Sequence, residues 1–412
     1  MSTRVLIVYA ALALVVAACG AASDGSLEDG AATATTEVEA TDGTGSGVES
    51  TSGPATGVLP EGPSALDSSS ADEFPPPLVD PEEIISGGPP PDGIPPIEEP
   101  VFIDVTSALE VLDPAEAVVA LEIDGDARAY PVQILIWHEI VNDTVANVPV
   151  SVTYCPLCNS AVTYRREVRG VPTTFGTSGR LFASALVMYD RATESLWTHF
   201  DGKAVVGLLA GEELEAIPSP LMAWGDFAAA YPTGRVLDPA ATGFNRDYGR
   251  NPYVGYDDEG SEPFLFRGIV DPRATSKLRV VGVEVGDEST AFSLDAISSG
   301  LAQATNTAVG DTDITIFWKA GQATALESTG ISGGRDVGSV AVFLPSVDGR
   351  ALTFSALGED FVDAETGSTW NLAGAAVAGE LAGAQLEQIN HLDTFWFAWA
   401  TYQPGTELVE AG

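Results

Sequence analysis

Short runs of apolar residues, each bounded by Gly, Pro or Asp, recur along the chain from about residue 105 onward. Runs of this length that are rich in Val, Tyr and Phe predict β-strands. In the first half of the chain the predicted strands are Val118–Ile123, Ala129–Pro131, Val148–Tyr154, Ala161–Val168, Pro172–Phe175, Leu186–Tyr189 and Lys203–Gly207. The pattern therefore predicts a chain built mainly from short strands.

Two segments show helical spacing of their apolar positions instead. Gln133 to Val141 follows Pro131, and Trp224 to Tyr231 stops at Pro232. Proline is favoured next to a helix start and cannot continue a helix, so both positions fit helix boundaries. Strands and helices together predict a β-rich α+β fold, in which short helices lie over twisted antiparallel sheets.

The strand pattern occurs twice along the chain. The segment Asp190-x-x-Thr193-x-Ser195-x-Trp197 returns as Asp363-x-x-Thr366-x-Ser368-x-Trp370, and similar Gly, Leu-Ala-Gly and Leu-Glu positions follow both. A repeat of this kind predicts two tandem copies of one module, residues 105–240 and 275–412, with an inter-module segment at 241–274. Each tryptophan is predicted to enter the core of its module.

The N-terminus has the features of an export signal. An apolar run, Val5–Ala18, is too short to span a membrane and ends directly before Cys19. This segment resembles a bacterial lipoprotein signal peptide over residues 1–18, and an ordinary secretory signal is the alternative. The resemblance implies cleavage before Cys19, a lipid on its sulfur, and an extracytoplasmic protein anchored to the cytoplasmic membrane.

Residues 19–77 consist mainly of Gly, Ser, Thr, Ala, Asp and Glu. This composition buries too little apolar surface to offset the entropy of ordering, so it predicts a disordered acidic tether. Residues 78–104 are rich in Pro and Gly but also contain isoleucines, and they predict an extended arm that lies on the folded domain.

The chain carries 59 acidic and 18 basic residues, a formal net charge of -41 at pH 7. A surface this negative repels phosphate backbones and anionic headgroups, which argues against nucleic acid as a partner. Both adaptation to salt and simple solubility are compatible with the charge.

The chain has three cysteines, and once Cys19 is assigned to a lipid only Cys155-Pro156-Leu157-Cys158 remains. The second copy has no cysteine at the corresponding position, where it reads Ile314–Gly321. Features that both copies share are explained by the fold, whereas a feature of one copy is a better candidate for function. The first module is therefore predicted to contain the site.

One interpretation of the cysteine pair is a metal site. Two thiolates in a tight turn between strands are typical of zinc and iron knuckles, and a soft ligand set suits Cu(I) as well as Zn²⁺. Since two thiolates are not enough for Zn²⁺, His138 is the candidate third ligand. A helix folded directly back on its strand does not bring His138 to the cysteines, so the tertiary fold has to do so. The candidates for a fourth ligand are Met188, Glu139 and Asp143.

Two other interpretations stay open, namely a dithiol redox couple with a thiol partner and a structural disulfide in a non-catalytic surface binding module. His138 also fits a half-buried packing position, with Asn142 four residues on to orient it. Arg180 fits either an anion site or an ion pair with a carboxylate, and the ion pair is favoured. The identity of any small-molecule ligand, and whether the protein is an enzyme, are left open.

Several unusual strings occur in order along the chain. They are Ile85-Ser-Gly-Gly-Pro-Pro-Pro-Asp-Gly-Ile-Pro, His138-Glu-Ile-Val-Asn-Asp, Thr153-Tyr-Cys-Pro-Leu-Cys-Asn, Thr174-Phe-Gly-Thr-Ser-Gly-Arg-Leu, Leu186-Val-Met-Tyr-Asp-Arg and Asn251-Pro-Tyr. With these strings the chain resembles a prokaryotic family catalogued as domain of unknown function 3179. The resemblance implies that residues from about 80 to 412 form one family unit, and it implies no reaction. One departure is Asn159, where such sequences commonly have Gly.

Overall fold

The computed structural model of the protein describes residues 57–411. The signal segment and Cys19 lie outside the described residues. Strands account for 39% of the structure and helices for 11%, which confirms the predicted β-rich fold with short helices and several antiparallel sheets. No helix within residues 57–411 has the length and apolar character needed to cross a membrane.

The first region, residues 105–240, is built with the preceding arm into three larger sheets. Their strand orders are β15-β3-β4-β16-β2, β14-β7-β6-β5 and β1-β10-β11-β12-β13, and β8 pairs with β9. The elements are β1 (Ile85–Ser86), β2 (Phe102–Asp104), α1 (Val105–Ala108), β3 (Ala117–Ile123), β4 (Asp126–Pro131), α2 (Val132–His138), β5 (Ile140–Val145), β6 (Val148–Cys155), β7 (Ser160–Arg165), β8 (Glu167–Val168), β9 (Val171–Pro172), β10 (Phe175–Phe182), β11 (Ala185–Asp190), β12 (Leu196–Thr198), β13 (Ala204–Val206), β14 (Ala216–Ile217), β15 (Leu221–Ala223), α3 (Trp224–Ala230) and β16 (Arg235–Leu237).

The second region, residues 275–411, contains three further sheets and a short hairpin. The strand orders are β28-β17-β18-β29, β19-β20-β21 and β24-β25-β26-β27, and β22 pairs with β23. The elements are β17 (Arg279–Val285), β18 (Glu288–Ser293), α4 (Leu294–Ile297), β19 (Ala302–Val309), β20 (Thr312–Lys319), β21 (Ser339–Phe343), β22 (Ser346–Val347), β23 (Arg350–Ala351), β24 (Phe354–Leu357), β25 (Asp360–Asp363), β26 (Thr369–Trp370), β27 (Ala376–Ala378), β28 (His391–Phe395), α5 (Trp396–Tyr402) and β29 (Glu407–Val409). Single 3-10 turns occur at Pro81–Glu83, Pro239–Ala241 and Ile331–Gly333.

One sheet in each region has the same strand arrangement. In the first region β3 pairs antiparallel with β4 and β15, and β16 adds parallel to β4. In the second region β17 pairs antiparallel with β18 and β28, and β29 adds parallel to β18. A seven-residue helix follows β15 in one region and β28 in the other.

The repeated Asp-x-x-Thr-x-Ser-x-Trp segments form the same hydrogen-bond network. The Asp190 carboxylate accepts bonds from the Ser195 N–H (3.1 Å) and the Trp197 indole N–H (3.0 Å). The corresponding distances from Asp363 are 3.1 Å to Ser368 and 2.9 Å to Trp370. Both tryptophans are fully buried, as the repeat predicts. A glycine follows each segment, Gly207 or Gly379, because a Cβ there would lie 2.7 Å from the serine Oγ.

The helix predicted over Gln133–Val141 is shorter than expected. It ends at His138, and Glu139 has a φ of 58°, a left-handed conformation that stops the helix. Ile140 and Val141 instead enter β5, where both side chains are fully buried. This difference matters for the site because β5 runs antiparallel to β6 and so brings Glu139 opposite Tyr154.

The predicted disordered tether is wrong for residues 57–77. Ala65 is fully buried, its N–H donates to the Glu194 carbonyl (3.2 Å), and its carbonyl accepts from the Arg180 guanidinium (3.2 Å). Apolar side chains in this stretch, including Leu66 and Phe74, pack on the cluster around β11 and β13. These side chains provide the burial that the overall composition does not indicate.

The arm at residues 78–104 lies along the first region. Its strand β1 pairs with β10, and the Asp92 N–H donates to the Thr177 carbonyl (2.8 Å). Further along, Ile97 donates to the Ile140 carbonyl (2.9 Å) at the start of β5. The arm therefore passes close to the C-terminal end of α2.

Candidate thiol site

The two cysteines lie at the turn between β6 and β7. Cys155 is the last residue of β6 and pairs with Ser160, the first residue of β7, so that a four-residue turn contains Cys158. Asn159 has a φ of 50°, a left-handed conformation that Gly adopts most easily and Asn better than most other residues. Its side chain accepts a hydrogen bond from the Tyr154 hydroxyl (3.2 Å). Asn at this position thus satisfies the same backbone requirement as the common Gly.

Both cysteines are free thiols and are buried, with exposed fractions of 1% for Cys155 and 0% for Cys158. The Cys158 Sγ lies 2.9 Å from the Ser160 Oγ and 3.8 Å from the Cys155 carbonyl oxygen. In this structure the pair is therefore a buried dithiol.

The environment of the two thiols is unequal. Burial alone raises the pKa of Cys155, but hydrogen bonds from the Cys158 thiol and from the backbone N–H groups of Cys158, Leu186 and Leu157 bring that pKa below its usual value. Burial and the neighbouring Cys155 sulfur raise the pKa of Cys158 well above its usual value. Cys155 is therefore the thiol that ionises first.

Glu139 is a buried carboxyl next to this pair. Its carbonyl accepts a hydrogen bond from the Tyr154 N–H (2.8 Å), which places residue 139 beside the end of β6. Burial, followed by the negative charge on Cys155, raises the pKa of Glu139 well above its usual value. Both effects favour the neutral form of the carboxyl beside the Cys155 sulfur.

The second region contacts the thiol turn directly through β28. The Cys158 carbonyl accepts two hydrogen bonds, from the Thr394 hydroxyl (2.7 Å) and from the Phe395 N–H (3.1 Å). The Asn159 amide lies 3.4 Å from both the carbonyl oxygen and Oδ1 of Asp393. Arg279 forms a buried bidentate ion pair with Asp393, with both N–O distances at 2.6 Å. Two strands of the second region thus support a turn of the first.

The inter-module segment also covers the turn. The Tyr256 hydroxyl donates to the Leu157 carbonyl (3.0 Å) and accepts from the Phe264 N–H (3.1 Å). Tyr253 and Tyr256 both pack against the apolar cluster that contains the two cysteines. This segment is therefore one of the elements that bury the thiol turn.

His138 is held by groups outside the thiol turn. Its Nδ1 lies 2.7 Å from the Pro95 carbonyl oxygen and its Nε2 lies 2.7 Å from the Tyr248 hydroxyl, so both ring nitrogens have partners. Burial lowers the pKa of His138 to about 4 despite the bond to Pro95. Between residues 57 and 411, no group of three or more His, Cys, Asp and Glu side chains is arranged to hold a metal ion. The fold does not assemble His138 with the two cysteines.

The other predicted site residues have separate roles in the structure. Asp143 accepts hydrogen bonds from Arg128 (2.5 Å) and Tyr130 (2.7 Å), and Met188 is a buried residue of β11 in the same apolar cluster as the cysteines. Asn142 does not orient His138, because the helix ends before it; its amide donates to the Phe175 carbonyl (2.9 Å). The ion pair favoured for Arg180 is also wrong, since this guanidinium binds the backbone carbonyls of Ala65 and Leu66.

The contacts from β28 were missed by the sequence reasoning, although the repeat contains a signal for them. Trp224 and Trp396 each begin a seven-residue helix, so the three residues before each tryptophan can be compared. Thr394 then corresponds to Met222 and Asp393 to Leu221, and Arg279 begins β17 where Ala117 begins β3. Polar residues confined to the second region are as informative as cysteines confined to the first.

A groove of about 360 Å³ runs between the two regions beside β7. Its lining includes Tyr164, Lys203, Glu213, Glu284 and His391, and neither cysteine belongs to it. The groove and the thiol turn are thus separate features of the same seam.

A family model described as "Protein of unknown function (DUF3179)" matches residues 91–406. The match covers the arm from Pro91 onward, both regions and the segment between them. No curated protein and no solved structure matches the chain.

Proposed function

Because the chain belongs to the DUF3179 family, for which no function is established, we propose a function from the site alone: reversible thiol–disulfide exchange at Cys155 and Cys158. The observation that carries this proposal is the Cys-x-x-Cys turn itself, in which two buried free thiols lie three residues apart and the Cys158 sulfur contacts the Ser160 hydroxyl at 2.9 Å. A low-pKa thiol paired with a high-pKa thiol in a Cys-x-x-Cys turn is the arrangement that dithiol redox couples use.

In the proposed reaction the Cys155 thiolate attacks one sulfur of a partner's disulfide, which forms a mixed disulfide and releases one partner thiolate. Cys158 then loses its proton and attacks the Cys155 sulfur, which closes the protein disulfide and releases the second partner thiolate. Two electrons pass from the protein dithiol to the partner disulfide, and the two protons lost by the cysteines end on the partner thiols. The partner is identified only as a disulfide-bearing molecule.

Glu139 fits this scheme as a buried acid next to Cys155. A neutral carboxyl places no second negative charge beside the thiolate, since its pKa is raised by burial and by Cys155 itself. The site therefore carries at most one buried negative charge while Cys155 is ionised, which limits the cost of desolvation.

The second candidate function is binding of a soft metal ion, and one observation favours it. Backbone N–H groups of Leu157, Cys158 and Leu186 contribute to the lowered pKa of Cys155, and hydrogen bonds of this kind also stabilise thiolates in metal knuckles. Two sulfurs from one turn suit Cu(I), with Met188 as a further soft ligand, better than Zn²⁺, which takes four ligands. In this candidate function His138 would have to leave its present partners to bind the metal.

We further propose that the protein is a lipoprotein anchored through Cys19 outside the cytoplasmic membrane, a compartment in which thiol–disulfide chemistry is common. The two regions are proposed to be copies of one module, of which the second has no cysteines. The matching strand orders and the matching Asp-Trp networks support this proposal.

One set of measurements tests these proposals on the mature protein purified without oxygen. A redox couple predicts a two-dalton mass difference that appears and disappears reversibly in glutathione buffers, with a potential above about -300 mV. Cys155→Ser is expected to abolish exchange with the partner disulfide, whereas Cys158→Ser is expected to trap a mixed disulfide. The same intact mass reports whether the chain begins at Cys19 and carries a lipid.

Three results would contradict the redox proposal in different ways. A disulfide that resists reductant at physiological potentials indicates the structural bridge of a non-catalytic binding module. About one equivalent of copper or zinc that survives dialysis indicates a metal site. Thiols that stay reduced in every buffer indicate a packed core without redox activity.

A further inference from the structure

We infer that the second region is part of the thiol site, and that Thr394 positions the Cys158 end of the turn in the reduced form. This inference rests on the proposed thiol–disulfide exchange. It assigns to residues of the second region a role in setting the redox equilibrium of cysteines that belong to the first.

The geometry that supports the inference lies on the backbone of the turn. The Cys158 carbonyl is held by the Thr394 hydroxyl at 2.7 Å and by the Phe395 N–H at 3.1 Å. Cys158 is completely buried, and Thr394 is completely buried as well. A carbonyl with two buried donors is fixed more firmly than one with a single donor.

Formation of the disulfide needs the Cys158 sulfur to change partners. In the reduced form this sulfur lies beside the Ser160 hydroxyl, at 2.9 Å. It has to leave that hydroxyl and approach the Cys155 sulfur to within bonding distance, about 2.05 Å. Because the carbonyl of the same residue is tied to β28, the turn opposes this movement, and the bond from Thr394 favours the dithiol over the disulfide.

The hydroxyl of Thr394 is not required by the sheet itself. β28 pairs with β17 through backbone hydrogen bonds, with Thr394 opposite Val280. At the corresponding place in the first region, β15 has Met222 and still pairs with β3. A polar side chain at position 394 is therefore explained by its contact with the turn and not by strand pairing.

A second contact acts on the neighbouring residue. The Asn159 amide lies 3.4 Å from Asp393, and Arg279 holds the Asp393 carboxylate with two bonds of 2.6 Å. These three residues are buried. The contact from Asn159 is longer than that from Thr394, so we expect it to contribute less to the position of the turn.

The test compares the redox equilibrium of Thr394→Val with that of the wild type in glutathione buffers, read by mass spectrometry after acid trapping. Loss of the hydroxyl is expected to shift the equilibrium about tenfold toward the disulfide, which corresponds to a potential about 30 mV more negative. Thr394→Ser keeps the hydroxyl and is expected to restore the wild-type equilibrium to within about twofold, the scatter expected for context-dependent hydrogen bonds.

The matched control is Thr290→Val in β18. Thr290 is a buried threonine of the same sheet, and its hydroxyl makes no hydrogen bond to any residue within 57–411. This variant is expected to leave the redox equilibrium unchanged. Circular dichroism of each variant establishes that the fold is retained.

Asn159→Gly provides a second, milder variant should Thr394→Val fail to fold. Glycine accepts the positive φ of residue 159, and the substitution removes the side-chain contacts with Asp393 (3.4 Å) and with the Tyr154 hydroxyl (3.2 Å). It is expected to shift the equilibrium in the same direction by about threefold, a smaller effect because the lost hydrogen bonds are longer.

The outcomes separate this inference from the function on which it rests. A reversible couple in the wild type that neither Thr394→Val nor Asn159→Gly shifts would overturn the positioning role and leave the redox proposal standing. A wild-type protein without any reversible couple would overturn both. A shift of the same size in Thr290→Val would also overturn the inference, since the effect would then come from general loosening of the sheet.

Discussion

The two regions of the molecule differ most where their cores meet, at the thiol turn and β28. In the first region the turn carries Cys155 and Cys158, and β15 is apolar; in the second the equivalent strand β28 carries Asp393 and Thr394. The residues confined to one region therefore face the residues confined to the other. Away from this seam, the Asp-Trp networks of the two regions agree: in each, the aspartate accepts from the serine N–H and from the tryptophan indole N–H.

This contrast distinguishes contacts that the fold requires from contacts that the fold does not require. A network found in both regions, such as Asp190 with Trp197 and Asp363 with Trp370, is explained by folding, because each buried indole N–H needs an acceptor. A polar contact found once, such as Thr394 to Cys158, is not needed by the strand order. Function is therefore best sought where the two regions diverge, and in both of them.

The largest expected effect tests whether the shared network is equivalent in the two regions. Trp197→Ala and Trp370→Ala are each expected to lower the free energy of unfolding by about 3–5 kcal/mol, because each removes a large, fully buried side chain and one of the donors to a buried carboxylate. The measurement is urea unfolding followed by circular dichroism. Val377→Ala, at a side chain that is 55% exposed, is the control.

Unequal losses of stability in the two tryptophan variants would show that the two networks are not equivalent. One variant would then lower the free energy of unfolding by less than about 1 kcal/mol while the other lowers it by the amount expected for a core cavity. In that case the two networks contribute unequally to stability. The two regions would then have the same strand order, but their Asp-Trp networks would differ in how much they stabilise the protein.

The next effect concerns His138, which belongs to the first region alone. Burial lowers its pKa from 6.5 to about 4 in the folded protein, so the unfolded chain binds a proton more readily than the folded one between these values. The contribution of neutral His138 to stability is thus complete above pH 6.5 and is lost as the pH falls toward 4. The loss amounts to about 3 kcal/mol.

The measurement is the free energy of unfolding at pH 7 and at pH 4.5 for the wild type and for His138→Asn. The variant is expected to lose less stability on acidification, because its side chain does not titrate. Carboxylates are common to both proteins, so their contribution cancels in the difference. Equal losses in the two proteins would show that His138 is already protonated or exposed.

Local patterns predicted most of the fold, because the strands are short, β-rich and bounded by turn residues. The strand predictions for Val118–Ile123, Val148–Tyr154 and Leu186–Tyr189 agree with β3, β6 and β11 to within a residue at most boundaries. The helix predicted through Val141 was wrong in its last turn, because the apolar pattern of Ile140 and Val141 fits a buried strand as well as a helix.

The end of α2 at His138 determines which residues lie near the cysteines. A helix through Val141 that folds back on its strand does not bring His138 to the cysteines. With β5 beginning at Ile140, Glu139 lies opposite Tyr154. His138 then points toward Pro95 and Tyr248 instead of the cysteines. The contacts from Thr394 and Asn159 cross more than 230 positions of sequence, and no local pattern indicates a pairing at that separation.

The smallest expected effect is a difference between the two thiols in the pH at which they react. Hydrogen bonds lower the pKa of Cys155, whereas burial and the neighbouring sulfur raise the pKa of Cys158. In a Cys158→Ser variant Cys155 keeps its backbone donors, and in a Cys155→Ser variant Cys158 keeps its burial, so the first variant is expected to react with iodoacetamide at lower pH than the second. The rate of alkylation between pH 5 and pH 10 is followed by mass spectrometry, because only the thiolate reacts.

Both thiols are buried to a similar extent, so limited access slows the two variants alike and the order of their pH midpoints still reports the order of their pKa values. Coincident midpoints would mean that the backbone donors do not distinguish the two sulfurs, and a lower midpoint for Cys158 would reverse the assignment of the attacking thiol.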